Sequence, residues 1–513
     1  MADSLDKPDP AILLDRVLAL RDDVERQVRT AFPSWPLADA DAEVRASAAN
    51  LVRYLALRRH DLAGLQRDLS LLGLSSLGRA EARVGPQLDA VAWALAGLAG
   101  RPDGPLPPTA EDLSEGERIL IRRTYQVFGP PPKDRRVRVL ATLPSSAADD
   151  PEVARRLAAA GADAVRINTA HDDPDRWAAM ARYVRAAAEE LGTRVAIEVD
   201  LAGPKMRLAA GVPDARQYPG DAFWLVPPGA RPCAAGQDGA PLVEVTLPAI
   251  LEQVAVGSEV WFDDGKIGGH VVEASMAVER EAPAGASPVR SVGTALRVVV
   301  ERAARRGQRL RLEKGVNFPE TEIDLPVPTA EDLAALPHAL AIADAIGFSF
   351  VQRPSEVDAL HDLIADMSTK PAPALVLKVE TRLAVRNLPS LIVHALRRGP
   401  TAVMIARGDL GVELGFERLA EVQEELLWLC EAAHVPVIWA TQVLEAMAKR
   451  GVPTRAEVTD AAMGERAECV MLNKGPYAEE AVRSLADVLR RMHRHQTKKT
   501  PRLGALRAWA SEG

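Results

Sequence analysis

Polar side chains that could carry chemistry follow several apolar runs of this sequence. Lys378 and Glu380 end the run ALVLKVE, and Asp409 follows the run AVMIA. In a strand, residues two apart point the same way, so Lys378 and Glu380 are expected on one face. Two separate carboxylates, Glu380 and Asp409, suit Mg²⁺ or Mn²⁺, which keep positions for water and substrate oxygens. An ammonium beside such an ion is a common means of neutralising a phosphoryl or enolate charge.

Other apolar runs are followed by polar groups in the same way. These groups are Arg166, Asn168 and His171; Asp200, Lys205 and Arg207; Arg407; and Thr441 and Gln442. The turn from Arg407 to Asp409 leads toward a helix, and its backbone N–H groups are suited to hold an anion such as a carboxylate.

Each of these features alone also has an ordinary structural explanation. A Lys-x-Glu at a strand end is often a solvated edge or an ion pair, and an Asp before Gly is often a turn or a cap. Thr441 taken singly is typical of a packing or capping threonine. No His or Cys cluster has the spacing of a zinc site. Only the conjunction of the polar groups favours a functional site.

The elements that must position these groups alternate between strand and helix from residue 135 onward. Eight β-rich apolar runs occur, at 136–143, 164–168, 194–200, 345–351, 374–380, 402–409, 435–442 and 469–474. One amphipathic helical pattern separates most of them. This rhythm predicts an α/β fold, a (β/α)₈ TIM barrel, whose functional residues lie at the C-terminal ends of the strands. An open doubly wound sheet is the competing geometry, and no glycine-rich dinucleotide fingerprint favours it.

Three further regions complete the predicted organisation. The N-terminal region shows helical spacing and predicts an α-helical packing or assembly domain, with Ser114 and Glu117 as a capping box for one helix. A Pro-, Gly- and Val-rich interval predicts a small β-domain inserted after the third strand, which could act as a lid. A basic chain end is interpreted as solvated. The predicted domains are 1–130 (helical), 131–207 (barrel, first part), 208–310 (inserted β lid), 311–495 (barrel, second part) and 496–513 (basic tail).

Charge and composition argue against several classes of protein. The 513 residues carry a formal net charge of −8, which disfavours a nucleic-acid or anionic-membrane partner. Three widely spaced cysteines are typical of a reducing compartment rather than of a disulfide framework. No signal-peptide pattern is visible, and no apolar run approaches the roughly 18 residues that a membrane span requires. We therefore expect a cytoplasmic protein.

Several motifs, in this order along the chain, strongly resemble the pyruvate kinase family. They are VRINTAH, VDLAGPKMR, FDDGKI, EKGVNFPETEIDLP, ALVLKVE, MIARGDLGVEL, VIWATQVLEAM and PTRAEVTD. The similarity covers roughly residues 135–490. The resemblance implies a barrel with a mobile β-domain and a homo-oligomeric enzyme. It also implies transfer of a phosphoryl group from phosphoenolpyruvate to ADP, giving pyruvate and ATP with the help of Mg²⁺ or Mn²⁺.

The resemblance also implies roles for individual residues. Glu380 and Asp409 would hold the divalent ion. Lys378 would stabilise the transferring phosphoryl group and the enolate, and Arg166 would contact the phosphate. The substrate carboxylate would bind the turn formed by Ala406, Arg407, Gly408 and Asp409. Thr441 would lie near the face of the enolate that is protonated. The residues expected to contact the nucleotide are Asn168, His171, Arg207 and Lys314.

The chain departs from the family pattern where many members bind a monovalent cation. Ala170 stands where members usually carry Ser, and Leu201 where they carry Thr. Lys205 stands where K⁺-requiring members tend to carry Glu. A tethered ammonium can replace a bound monovalent ion, and the lost oxygen ligands are then not required. We therefore expect Lys205, together with Asp200, to substitute for the cation and the activity to be independent of K⁺.

Other departures concern loops and the chain end. The segment after the eighth strand, LNKGP, is shorter than the Ser-Gly-Glu-Thr loop of the family, and TLPSSA replaces the usual Thr-Ile-Gly-Pro. We also expect the C-terminal effector domain of many members to be absent.

Two alternatives to the kinase stay open. One is a metal-dependent oxo-acid aldolase or lyase on the same barrel, and the other is a catalytically silent regulatory or scaffold homologue. Retention of Arg207, Lys314 and a lid favours the kinase over the lyase. The intact polar set at the strand ends argues against a silent homologue.

Overall fold

The computed structural model describes residues 7–31, 35–101, 104–233, 239–279, 291–367 and 371–502 of the chain. Its α-helices are α1 (Pro10–Ala31), α2 (Ala42–Leu57), α3 (Ala63–Leu71), α4 (Val84–Leu98), α5 (Ala110–Phe128), α6 (Pro151–Ala160), α7 (Pro174–Glu190), α8 (Ala330–Ile342), α9 (Pro354–Met367), α10 (Arg382–Leu396), α11 (Arg407–Leu414), α12 (Phe416–Ala432), α13 (Glu445–Arg450), α14 (Arg455–Met463) and α15 (Ala478–Met492). Within these described ranges, no helix is both long and apolar enough to cross a membrane.

The strands fall into a barrel, an inserted sheet and a terminal hairpin. They are β1 (Arg138–Thr142), β2 (Ala164–Asn168), β3 (Ala196–Asp200), β4 (Leu208–Ala210), β5 (Ala222–Val226), β6 (Ala230–Pro232), β7 (Leu242–Val245), β8 (Glu259–Phe262), β9 (Ile267–Glu279), β10 (Ser291–Arg302), β11 (Val316–Asn317), β12 (Ala345–Phe348), β13 (Ala374–Val379), β14 (Thr401–Ala406), β15 (Val437–Ala440), β16 (Cys469–Leu472), β17 (Gln496–Thr497) and β18 (Thr500–Pro501).

Eight parallel strands close into the barrel that the strand–helix rhythm predicts. Their order around the barrel is β1-β2-β3-β12-β13-β14-β15-β16, and β16 pairs back to β1. This closure confirms the TIM barrel and excludes the open doubly wound sheet. Small buried side chains from alternate strand positions fill much of the interior, among them Ala164, Ala196, Ala345 and Ala374. Because the strands are parallel, the polar groups at their C-terminal ends share one mouth.

A separate mixed sheet interrupts the barrel between β3 and β12. Its strands run in the order β11-β8-β9-β10-β5-β7-β4, with β6 paired to β9. The sheet has an apolar core of its own, in which the rings of Phe223 and Phe262 meet edge to face, 5.4 Å apart. The inserted β-domain is therefore confirmed. Its last strand, Val316–Asn317, pairs with β8 and lies beyond the expected bound at residue 310.

The N-terminal helices pack against the barrel through buried polar contacts. The Asn50 side chain donates to the carbonyls of Glu81 and Ala432, at 2.7 and 2.8 Å, and accepts from the N–H of Val84 at 2.9 Å. Buried apolar residues of helices α1 to α4 belong to the same cluster as those of the barrel helices, so this part of the bundle and the barrel have one continuous core. Val127 and Phe128 of α5 pack against the cluster inside the barrel.

His434 forms a second buried link between the bundle and the barrel. Its Nε2 lies 3.0 Å from the Ala82 carbonyl, and its Nδ1 lies 3.0 Å from Ser47 Oγ. Since a carbonyl only accepts, Nε2 carries the proton and Nδ1 accepts from the serine. Burial lowers the pKa of His434 to about 4, so the ring stays neutral.

The capping box predicted at Ser114 and Glu117 is wrong. Helix α5 begins one turn earlier, at the N-cap Thr109, whose side chain accepts from the N–H of Asp112 at 3.1 Å. The Asp112 carboxylate accepts in return from the N–H of Thr109 at 2.8 Å. Ser114 therefore lies inside the helix, where its hydroxyl donates to the Ala110 carbonyl.

The sequence interpretation expected a solvated basic chain end, but part of this chain end is buried against the barrel. Strands β17 and β18 form a two-stranded hairpin. Lys498 in this hairpin is 8% exposed, and its Nζ lies 2.8 Å from Glu468 Oε1 at the start of β16. A buried carboxylate thus attracts the lysine to the barrel base. The rest of the predicted tail, 503–513, lies outside the described residues.

Candidate active site

Lys378, near the end of β13, lies at the centre of an ion-pair network at the barrel mouth. Its Nζ is 3.0 Å from Asp200 Oδ2, 2.6 Å from Ser349 Oγ and 3.2 Å from Glu380 Oε1. The two-residue spacing therefore places Lys378 and Glu380 together. Burial by itself would lower the pKa of Lys378, but the carboxylates of Asp200 and Glu380 outweigh it and raise that pKa. The ammonium stays charged.

Asp200, at the end of β3, also binds Arg166 of the neighbouring strand β2. Arg166 Nε donates to Asp200 Oδ2 at 3.0 Å, and Nη2 donates to the same oxygen. Burial would raise the pKa of Asp200, but Arg166 and Lys378 outweigh it and hold the pKa below its usual value. Gly347 makes room for this carboxylate, because a Cβ there would lie 2.2 Å from Asp200 Oδ1.

Asp409, in the first turn of α11, pairs with Lys205 from the loop after β3. The ammonium lies 2.7 Å from Asp409 Oδ1 and 2.9 Å from Oδ2. The expected contact of Lys205 with Asp200 is therefore not observed. The physical reason is that Arg166 and Lys378 already neutralise Asp200, which leaves Asp409 as the carboxylate that needs a cation.

Glu380 and Asp409 provide the oxygen donors for a possible divalent ion. Burial raises the pKa of Glu380, Lys378 opposes that effect, and the charge of Asp409 adds to it, so the two carboxylates interact. No group of three or more His, Cys, Asp or Glu side chains that could hold a metal occurs in the described part of the chain. The donor set therefore fits an ion such as Mg²⁺, which binds one or two carboxylates and completes its shell with water and substrate oxygens.

The turn into α11 offers backbone donors at the same mouth. The helix begins at Arg407, and its N-cap, Ala406, makes no side-chain capping bond. The first N–H groups of a helix have no intrahelical acceptor, so those of Arg407, Gly408 and Asp409 are available to an anion. This backbone geometry is compatible with the expected anion site, which stays a prediction.

The Arg407 side chain is directed elsewhere. Its Nε donates to the Ala440 carbonyl at 2.9 Å and its Nη2 to the Thr441 carbonyl at 2.7 Å. The guanidinium also pairs with Asp460 and lies 4.3 Å from the ring centroid of Trp439. Arg407 therefore fixes the loop after β15, and only its backbone faces the expected substrate position.

Thr441 follows β15 in a strained backbone conformation. Its φ is 65°, and Gln442 and Leu444 also have positive φ values, of 58° and 45°. Thr441 Oγ1 is buried and has no hydrogen-bond partner among the described residues. A Cβ built on Gly408 would lie 3.6 Å from this oxygen, so the hydroxyl lies over the first turn of α11. An unpaired buried hydroxyl beside an anion site is available to a ligand.

The residues expected on the nucleotide side line two cavities, one at the junction of barrel and insert and one at the barrel mouth. His171, Arg207 and Lys314 line a cavity of about 570 Å³. Asn168 and His171 also line a cavity of about 290 Å³ that contains Arg166. The two cavities share His171, so the structure brings these positions together.

Three residues that the sequence analysis did not single out belong to the same region. Ser349 Oγ accepts a hydrogen bond from the ammonium of Lys378. Lys474, in the short loop after β16, lines the same cavity as His171. Burial lowers the pKa of His171, and the charge of Lys474 lowers it further. Glu198 is 3% exposed, and neither of its carboxylate oxygens has a partner among the described residues. Burial, with Asp200 adding to it, raises the pKa of Glu198 to about 8.

Comparisons with known proteins agree with this geometry. The family model described as the pyruvate kinase barrel domain matches residues 134–482. A protein named pyruvate kinase from Agrobacterium vitis is 30% identical over 372 residues, which are 71% of this chain and 70% of the relative. A pyruvate kinase from Methylorubrum extorquens is 33% identical over 372 residues, 71% of this chain and 70% of the relative. A pyruvate kinase from Mycobacterium intracellulare is 31% identical over 375 residues, 72% of each chain.

The matched segment contains every strand of the barrel and the whole ion-pair network around Lys378. Both the extent of the match and the identity over more than two thirds of each relative go well beyond a shared fold. The chain therefore belongs to the pyruvate kinase family of phosphotransferases.

Proposed function

We propose that this chain transfers the phosphoryl group of phosphoenolpyruvate to ADP, forming pyruvate and ATP. The observation that carries the proposal is the buried ammonium of Lys378, held at the barrel mouth within 3.2 Å of Asp200 and Glu380. Membership of the pyruvate kinase family supports the reaction class. Phosphoryl transfer needs little covalent chemistry from the protein, because positioning and charge neutralisation provide most of the catalysis.

Arg166 and Lys378 provide the fixed positive charge for the phosphoryl group. Lys378 is buried and the Arg166 side chain is only 13% exposed, and nearby carboxylates raise the pKa of each against the effect of burial, so both remain cationic at neutral pH. Arg166 and Lys378 both donate to Asp200 Oδ2. The phosphate of the substrate would compete with this carboxylate for the two cations. A divalent ion, Mg²⁺ or Mn²⁺, held by Glu380 and Asp409 would supply further positive charge to phosphoryl and enolate oxygens.

The substrate carboxylate is proposed to bind the first turn of α11. The uncapped N–H groups of Arg407, Gly408 and Asp409 provide donors, and the helix dipole favours an anion there. The Thr441 hydroxyl, without a partner among the described residues, then faces the carbon that must be protonated when the enolate becomes pyruvate. We infer that it holds the proton donor at that face.

The nucleotide is proposed to bind between the barrel and the inserted sheet. His171, Arg207 and Lys314 line the cavity there, and Asn168 lines the neighbouring cavity at the barrel mouth. Arg207 and Lys314 provide cations for phosphate groups. The insert is joined to the barrel on both sides of this cleft, so its closure would exclude water.

Independence from K⁺ is proposed to follow from Lys205. Its ammonium binds Asp409 at the mouth, so a fixed monovalent charge is present without an ion from solution. Ala170 and Leu201 have no side-chain oxygen that could coordinate such an ion. The observed partner is Asp409, and the proposed role of Asp200 is to anchor Arg166 and Lys378.

The test is a coupled assay of pyruvate formation with phosphoenolpyruvate, ADP and Mg²⁺. Lys378→Met should lower kcat by at least about 10³-fold, because a preorganised charge at the reacting centre is lost. Lys133→Met, at an exposed lysine without an ion pair in the described ranges, is the matched control and should retain its rate. Thermal midpoints of both variants show whether the fold persists.

Three outcomes separate the alternatives. Absence of pyruvate from the unmutated protein would contradict the proposed reaction. Formation of pyruvate and an aldehyde from a 4-hydroxy-2-oxo acid, with no phosphoenolpyruvate or ADP present, would favour the lyase alternative. An unchanged rate in Lys378→Met would refute the proposed role of its ammonium.

A further inference from the structure

A second polar cavity lies at the opposite end of the barrel from the active-site mouth. It has a volume of about 390 Å³, within the range of small-molecule sites. The N-terminal helical bundle, the amino ends of β1 and β16 and the β17–β18 hairpin provide its walls. Strand β1 begins at Arg138 in this cavity and ends at Thr142 at the mouth, so the two sites are about 13 Å apart along the strand.

The walls of this basal cavity carry an excess of positive charge. Its cations are Arg79, Arg83, Arg136, Arg138, Lys498 and Arg502, against the carboxylates of Glu117, Glu431 and Glu468. Burial raises the pKa of Glu431 to about 7, so part of its negative charge is lost at neutral pH. The cavity lining is therefore positively charged, whereas the whole chain carries a formal net charge of −8.

Most of this positive charge has no carboxylate partner. Arg136 and Lys498 pair with Glu468, at 3.0 and 2.8 Å. The other four arginines, Arg79, Arg83, Arg138 and Arg502, form no ion pair with a carboxylate in the part of the chain that the structure describes. Arg83 donates to the Leu113 carbonyl and Arg502 to the His493 carbonyl, but a carbonyl does not neutralise the guanidinium charge. Arginines whose charge has no carboxylate partner and that line one cavity are suited to bind a phosphate or carboxylate.

Arg138 is the buried cationic side chain that supports an anion site in this cavity. It is 2% exposed, and its Nη1 and Nη2 donate to the carbonyls of Arg136 and Gly129 at 2.9 and 2.7 Å. Its Nε is buried and has no acceptor among the described residues. A buried cationic donor without an acceptor is costly unless a ligand completes it.

Another part of the lining is apolar and partly aromatic. Leu120, Ile121, Tyr125 and Pro131 line it. Ile121 and Tyr125 are 44% and 42% exposed, so their surface is open to a ligand. The Tyr125 ring centroid lies 5.3 Å from the guanidinium carbon of Arg138, which places a flat apolar surface beside the cationic one.

We propose that the basal cavity binds a small organic phosphate. The arginines would hold the dianionic phosphate group, and a flat apolar body would pack on Tyr125. Most of the lining residues lie outside 134–482, the segment shared with the family, so this site belongs to the additional domain of this chain. The inference does not depend on the reaction at the mouth.

The experiment uses phenyl phosphate, which combines a dianionic phosphate with a flat apolar ring. Isothermal titration calorimetry on the full chain should detect binding of phenyl phosphate, weaker binding of inorganic phosphate, and none of phenol. The double variant Arg79→Gln/Arg83→Gln should weaken phenyl phosphate at least tenfold. Arg29→Gln/Arg418→Gln, which removes two exposed arginines that do not line the cavity, should stay within twofold of the unmutated protein.

Two further variants locate the ligand. Tyr125→Ala should weaken phenyl phosphate at least fivefold and leave inorganic phosphate unchanged, because only the ring contact is lost. Lys378→Met at the mouth should leave the Kd within twofold. If Lys378→Met abolishes binding and Arg79→Gln/Arg83→Gln does not, the ligand lies at the mouth and the proposal is wrong. Absence of binding at millimolar phenyl phosphate would also overturn it.

Discussion

The replacement of Lys205 by Met gives the sharpest test of how this active site is charged. Lys205 Nζ lies 2.7 and 2.9 Å from the two oxygens of Asp409, and the two side chains are 21% and 15% exposed. Methionine keeps most of the length of the side chain and removes the charge. We expect the variant to lose most of its activity in a buffer without K⁺.

The magnitude follows from the distance and the burial. Two unit charges 2.7 Å apart interact by about 6 kcal/mol at an effective dielectric constant of about 20. Desolvation of both ions offsets much of that energy, and the pair is not fully buried. Loss of one preorganised charge at an active site usually costs about 10²- to 10³-fold in rate. We therefore expect kcat/KM to fall about 10²-fold, equivalent to about 2.7 kcal/mol.

The assay compares K⁺ with a large inert cation such as tetramethylammonium at constant ionic strength. The unmutated protein should give the same rate in both salts, within twofold. Lys205→Met should be slow in both, because Ala170 and Leu201 provide no oxygen ligands for K⁺. The triple variant Ala170→Ser/Leu201→Thr/Lys205→Glu restores those ligands and should gain rate with K⁺. Lys133→Met serves as the control for loss of a lysine.

Two results would refute this explanation of Lys205. One is an activation of the unmutated protein by K⁺ of more than about tenfold, which would show that the ammonium does not replace the ion. The other is a Lys205→Met variant that works as well as the unmutated protein without K⁺. In that case the pairing with Asp409 would be structural only.

Three further predictions concern other buried polar groups. Thr441→Val removes the unpaired hydroxyl and should lower kcat about 10²-fold with little change in KM for phosphoenolpyruvate, a split that steady-state kinetics would show or contradict. Asn50→Ala leaves three buried backbone groups unpaired and should lower the free energy of unfolding by about 2–4 kcal/mol; an unchanged urea midpoint would disprove this. Glu198 has a pKa of about 8 in the folded state, above the value of about 4.3 expected when unfolded, so the folded protein binds an extra proton between these values and loses stability as pH rises through them. The thermal midpoint of Glu198→Gln should therefore fall less than that of the unmutated protein between pH 5.5 and 8.5, and equal slopes would contradict the assignment.

The barrel could be predicted because its sequence pattern is local and repeated. Each of its strands is a short apolar run, and one helical pattern separates most consecutive runs, so the strand–helix rhythm identifies the architecture before any contact is known. The first residue of a helix was harder to predict, because Ser114 and Glu117 match the capping pattern as well as Thr109 and Asp112 do. The structure selects Thr109, since the helix extends one turn further back.

The barrel predicts that the strand ends share one mouth, but individual contacts within the candidate site were predictable only where the spacing within one strand was informative. Lys378 and Glu380 are two residues apart, and the alternation of a strand places them together. The same rule applies to Glu198 and Asp200, so Glu198 could have been found. The pairing of Lys205 with Asp409 spans 204 residues and depends on which carboxylates other cations already neutralise. No local pattern contains that information.

The ion-pair network at the mouth contains equal numbers of opposite charges, and this balance links its stability to its chemistry. The cations are Arg166, Lys205 and Lys378, and the carboxylates are Asp200, Glu380 and Asp409. Burying so many ions is tolerable only when each has a partner, because an uncompensated buried charge costs several kcal/mol. Without Lys205, Asp409 would be the carboxylate left without a cation, beside a Glu380 whose pKa it already raises. Lys205 therefore gives Asp409 a cationic partner from within the chain, and the proposed independence from K⁺ rests on this fixed charge.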